Sequence, residues 1–121
     1  MARRLGRLAE AADIVVEAGS RAARARGAYE SSLMGCREVQ ERLAGLICGA
    51  EVVRYGSARL DGLLEQGARD RAGRECAGLA ARARALRADL AAVARALLGE
   101  AWVEANLPAD DFPRPDERKN R

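Results

Sequence analysis

The apolar positions of this chain fall into runs that step by four and three residues. In the middle run Val39, Leu43, Leu46, Ala50, Val53, Ser57, Leu60 and Leu64 succeed one another in that rhythm. Such a rhythm places side chains on one side of a helix that packs against other helices. Arg42, Glu51, Arg54, Arg59, Asp61 and Glu65 lie off the run, which leaves one apolar stripe and one solvated face. An earlier run comprises Leu5, Leu8, Ala12, Val15, Gly19 and Ala22. A later one comprises Ala72, Cys76, Leu79, Ala83, Leu86, Leu90, Val93 and Leu97, with arginines kept outside it.

Punctuation between the runs predicts three helices. The first ends near Arg26, with Gly27 as a left-handed cap. A connection through Tyr29 and Glu30 leads to Ser31 or Ser32 as N-cap of a second helix, which extends to Gln66 over roughly 50 Å. Gly67 closes it, and Asp70 opens the third helix. That helix stops at Gly99 or continues through Trp102 and Val103 to Ala105. Gly35, Gly45, Gly49, Gly56 and Gly62 all fall within the second helix. Because the apolar register runs through every one of them, they predict close approach of a neighbour rather than a kink between Gly45 and Gly49. The fold class is all-α: an antiparallel three-helix bundle with a long central helix over residues 1–106. Residues 107–121, with Pro108, Pro113 and Pro115 among alternating charges, read as a disordered tail. Trp102 and Phe112 are expected to pin its start to the bundle.

Composition narrows the function without naming it. The chain has 121 residues, enough for one domain, with 49% apolar residues and 32% charged but only 3% aromatic. A core of small aliphatic side chains buries little area per contact, so stability is expected to lean on a partner. The net charge is +3 and the pI about 9.1, values too mild to name nucleic acid or membrane as a ligand. Lys119 is the only lysine. The arginines are spread along the chain, which reads as a coding bias toward GC-rich codons. Three cysteines without a histidine or a CxxC pair argue against a disulfide framework and a zinc site, and point to a reducing, cytoplasmic setting. No apolar run reaches the ~20 residues of a membrane span. Glu10, Asp13 and Glu17 follow the basic start too soon for a targeting peptide, so the start is read as mature protein.

Candidate chemistry is sparse. Cys36 and Cys76 fall on apolar seams with Cys48 beside one, so buried structural thiols are expected. Glu38 and Glu41 are one turn apart but lack the histidines of a di-iron bundle. Arg74, Arg82, Arg84, Arg87 and Arg95 make the third helix basic and are the candidate contacts for phosphate or anionic lipid. No aromatic residues interleave with them to stack bases. The candidate protein interface is the central seam, Val39, Leu43, Leu46, Val53, Leu60 and Leu64, together with Trp102. No catalytic, cofactor or metal residue is assigned.

The run from Glu38 to Ile47, EVQERLAGLI, resembles the helical C-terminal region of acyl-CoA dehydrogenases, especially the extra bundle of the very-long-chain type. There a Glu-x-Gln element precedes Arg-Leu-Ala-Asp, and an apolar helix ends in Ser-Arg. Ser57, Ala58 and Arg59 stand near that ending, Val16 to Ala18 resemble the preceding helix, and Glu75 and Cys76 fall in the third. Gly45 stands where the family has Asp, and the flavin-binding body and the catalytic glutamate have no counterpart. The resemblance implies the appended helical part alone, which in that family packs on the catalytic body and helps it assemble or approach membranes.

The leading expectation is therefore a non-catalytic helical interaction module, self-associating or docking on a larger enzyme of acyl-CoA dehydrogenase type. The alternative is an arginine-faced protein that binds anionic membrane or nucleic acid, and the third reading is a small non-catalytic subunit of a flavoprotein.

Overall fold

The structure, a computed structural model, describes residues 1–28, 31–32, 35–110 and 112. Helix α1 spans Ala2–Ala25, a pair of two-residue strands β1 (Gly27–Ala28) and β2 (Ser31–Ser32) follows, and then come α2 (Arg37–Glu65), α3 (Arg69–Leu97) and the short α4 (Glu100–Asn106). The three long helices form an antiparallel bundle. Gly19 of α1 faces Leu43 of α2 and Leu97 of α3, while Gly49 and Gly56 of α2 face Leu86 and Leu79 of α3. Helices α2 and α3 have equal length, 29 residues each, so the central helix is long but not longer than the third.

Two glycines set the turns. Gly67 has φ +75°, and the Gly67 and Ala68 amides donate back to the carbonyls of Leu64 and Leu63 at 3.1 and 3.0 Å. These paired bonds satisfy the last carbonyls of α2 and reverse the chain into α3. Gly99 has φ 98° and ψ 163°, a region essentially reserved for glycine, and there α3 gives way to α4 as a separate helix. Gly27 departs from expectation. The cap residue of α1 is Arg26 in extended conformation (φ −89°, ψ 122°), and Gly27–Ala28 pairs with Ser31–Ser32 in antiparallel register. A ladder thus replaces the left-handed cap, Ser31 and Ser32 are drawn into it, and α2 begins only at Arg37 with Cys36 in the cap position.

The core is wholly apolar: among the described residues no polar or charged side chain is buried. Leu5, Leu8, Leu46, Leu90, Val15 and Val53 are its largest fully buried members. In α1 the stripe is wider than the seam read from the sequence, taking in Ala9, Ala11 and Ala23. At the far end of α2 the burial passes from Leu64, 53% exposed, to Leu63, 7% exposed. Leu63 follows Gly49 and Gly56 at heptad spacing and so continues the row that faces α3, whereas Leu64 sits in the last turn where the bundle ends.

Helix α2 is uninterrupted through Gly45, Gly49, Gly56 and Gly62. A methyl group on Gly49 would lie 2.8 Å from Cδ1 of Leu86, and one on Gly56 would lie 2.6 Å from Cδ1 of Leu79. Those two glycines let α3 close in. Gly45 and Gly62 have nothing within 4 Å of an added Cβ, so the expected close approach holds for only part of the row.

Beyond α4 the chain continues as a strap. Pro108, Ala109 and Phe112 share a groove with Arg7, Ala11 and Ile14 of α1, and Phe112 is 4% exposed against the core. Arg87 donates from Nε to the Pro108 carbonyl at 2.7 Å, and Arg95 pairs with Glu100 at 2.8 Å. With Trp102 partly buried against the same core, both aromatics pin this segment as expected. The start of the tail at 107 is therefore packed chain. The expectation of disorder falls on Asp111 and residues 113–121, which lie outside the described residues.

The buried row and the read seam make different predictions for two leucines. Leu46→Ala is expected to cost about 2–5 kcal/mol in chemical denaturation, and Leu64→Ala to stay within about 0.5 kcal/mol. Gly6→Ala and Gly73→Ala meet open space inside helices. Each is expected to raise stability by about 0.5–1 kcal/mol, measured the same way.

Candidate functional site

Most of the seam singled out in the sequence is consumed by the chain itself. Leu43, Leu46, Val53 and Leu60 are buried between α2 and its neighbours, and Val39 and Trp102 are partly buried against the same core. Only Leu64 of that set is exposed. The neighbour along the seam is intramolecular, and any docking surface on α2 must lie on its other side.

That other side is unusually apolar. Tyr55 is 70% exposed, Ile47 50% and Val52 39%, with exposed Cys48 between them. At 100° per residue Cys48 and Tyr55 fall opposite the buried row, with Ala44 and Ala58 extending the strip, while Ile47 borders it on the α1 flank and Val52 on the α3 flank. Glu51 is the one charge within it, and it accepts a bond from Arg54 at 3.2 Å. The outward faces of the other long helices differ. That of α1 carries Glu10, Asp13, Glu17, Arg21 and Arg24 around Ile14, and that of α3 is alanine bordered by arginine. Cys36 and Cys48 are exposed rather than buried and Cys76 is half-buried. Cys36 leaves the seam because α2 begins after it, and Cys48 stands on the outer face.

Shallow grooves flank α2. On the α3 side one groove is lined by Gly45, Gly49, Val52 and Leu86, with Arg82 and Asp89 also on its wall. It adjoins a second one, in which Gly45 and Asp89 are joined by Glu38, Glu41 and Arg42. Glu38 and Glu41 are matched by Arg42 and Arg37, each pair at 3.0 Å.

The five arginines proposed for anion contact are not brought together. Arg87 and Arg95 are spent on the strap and α4, Arg84 is half-buried, and Arg74 and Arg82 stand exposed on other parts of α3. The more organised cationic positions are Arg54 and Arg59. Arg54 joins α2 to Asp13 and the Ala9 carbonyl of α1, and the Asp13 bond is the main cause holding its guanidinium charged. Arg59 grips both oxygens of Glu75 on α3 at 2.8 and 3.0 Å. This grip holds the Glu75 carboxyl below the usual carboxylate range; partial desolvation opposes it, and the charges of Arg59, Arg71 and Arg74 add to it. Among the described residues no group of His, Cys, Asp and Glu is placed to hold a metal ion, and no helix is long and apolar enough to cross a membrane.

The Glu75 shift carries a pH dependence of known sign. The folded pKa lies below the unfolded one, so the unfolded chain takes up the proton first. The pair's contribution is full above the ordinary carboxylate pKa and is lost as pH falls through the lower folded value. Thermal unfolding should therefore show wild type above Glu75→Gln at neutral pH, with the gap closing in acid.

Comparison of the chain with family models, with curated proteins and with solved structures finds no match to any of them.

Proposed function

We propose that this chain is a non-catalytic helical interaction module that docks a protein surface on the outward face of α2. The reading rests on one observation: Ile47, Val52 and Tyr55 are large, apolar and exposed together on the helix whose opposite side holds the bundle. Burying such side chains is favourable by about 25 cal/mol per Å² of apolar surface, so a strip of them left in water is a standing drive toward association. The partner is either another copy of this chain or a larger protein. The likeness of Glu38 to Ile47 to the helical region of acyl-CoA dehydrogenases names a flavoprotein body as one such larger partner.

The test separates the face from the fold. Ile47→Lys with Tyr55→Lys changes only exposed positions, so helix content and unfolding midpoint should stay near wild type. Association, whether self-association in sedimentation or retention of a partner on immobilised protein, should fall by about tenfold or more. Equal association by wild type and variant would remove the outer face of α2 from consideration.

A further inference from the structure

The docking reading leaves the partner open, and two features on the α2–α3 face narrow it. One is a knob and a vacant notch on the same helix. Tyr55 is the most exposed large apolar side chain, and Gly45, ten residues before it, has nothing within 4 Å of an added Cβ while lining both grooves beside α3. The other is a pair of opposite charges on α3. Arg82 and Asp89 line the same groove, both exposed, and neither has an ion-pair partner among the described residues.

These two pairs share a midpoint. Halfway between Gly45 and Tyr55 is Ala50, and halfway between Arg82 and Asp89 is the step from Ala85 to Leu86. Leu86 is the residue that packs on Gly49, next to Ala50, so both midpoints lie at one level of the bundle. A two-fold axis at that level, perpendicular to the helices, reverses each helix against its copy and keeps the α3 side facing the α3 side. It brings Tyr55 of one copy to Gly45 of the other, and Arg82 to Asp89, in one operation. Glu41 and Arg59 also centre on Ala50, although Arg37 and Glu75 already engage them within the chain. Glu51, the charge nearest the axis, is neutralised by Arg54 of its own chain.

We propose, on the basis of the docking reading above, that the partner is a second copy: an antiparallel homodimer across the α2–α3 face, with each Tyr55 ring over the other copy's Gly45 and each Arg82 paired with the other copy's Asp89. The large-into-small fit supplies apolar burial without displacing the bundle, because a ring over Gly45 meets no Cβ. The charge pairs fix the register of one copy against the other. From Glu41 to Arg59 the face is about 27 Å long at 1.5 Å per residue. Two helices wide, it covers on the order of 500 Å² in projection, at the small end of specific interfaces. The dimer is accordingly reversible and concentration-dependent.

Sedimentation velocity of the full chain across a wide concentration range tests this. Wild type should pass from monomer to dimer. Gly45→Gln, which fills the notch at an exposed position, should weaken the dimer by about tenfold or more, with circular dichroism unchanged. Arg82→Asp and Asp89→Arg should each do the same by setting like charges together. The double variant Arg82→Asp/Asp89→Arg should return to within about threefold of wild type, a recovery that loss of folding or of general surface charge does not produce. A monomer at every concentration overturns the proposal, as does a dimer indifferent to both single reversals. Either failure leaves the docking reading separately testable, since the Ile47→Lys/Tyr55→Lys variant would still lose a different partner.

Discussion

The bundle depends on how closely α3 lies against α2, and two glycines decide that distance. Cδ1 atoms of Leu79 and Leu86 occupy the space where side chains at Gly56 and Gly49 would begin. Leucine therefore fills the row that glycine vacates, and a chain with 3% aromatic residues still buries an apolar row between two long helices. Glycine in a helix interior costs up to about 1 kcal/mol against alanine, a cost offset where a neighbour's leucine gains full burial. From this contact the rest follows in order: Leu63 extends the row toward the Gly67 turn, α1 lays Leu5, Leu8 and Val15 into the remaining furrow, and the strap lies along the N-terminal half of α1.

The helices themselves were plain in the sequence because each apolar run keeps its four-three step for several turns, a long-range signal that survives local exceptions. The ends were less legible. At Gly27 and Ser31, side-chain identity predicts a cap, but backbone groups in a short reversal can satisfy one another across a ladder, and the sequence pattern does not rank the two. At Leu63 and Leu64 a heptad count assigns burial by position along the stripe, whereas burial depends on which neighbour is present at that height. The same blindness applies to Cys36, whose heptad spacing to Leu43 means nothing once the helix starts after it.

The candidate surface was harder still, for a physical reason. Ile47, Cys48, Val52 and Tyr55 sit on α2 between residues of the buried seam, so a reading that looks for one apolar stripe absorbs them as scatter. A second stripe on the same helix was present in the sequence as Ala44, Cys48, Val52 and Tyr55, at steps of four, four and three. What distinguished it was the scarcity of charge over those turns, Glu51 alone, compared with α1, and that contrast acquires meaning only when exposure is known. The arginines misled in the opposite direction. Counted along α3 they suggest a cationic face, but Arg87 and Arg95 are turned to a carbonyl and a carboxylate of the segment that follows. Arginine here serves largely to tie one element to the next, as Arg54 and Arg59 do between helices.

Gly45 lies where the packed row of α2 meets its exposed side. It belongs with Gly49 and Gly56 on the side of α2 nearest α3, yet it alone of the three has no leucine in its notch. The intramolecular use of the motif stops one turn short of where the glycines stop. A glycine in a helix interior with nothing against it has a conformational cost and no packing return within the chain. Tyr55 presents the complementary imbalance: a large ring, mostly in water, with its apolar area unspent. The two imbalances lie at equal distances on either side of Ala50, on one helix, and a copy of that helix turned end for end resolves both at once.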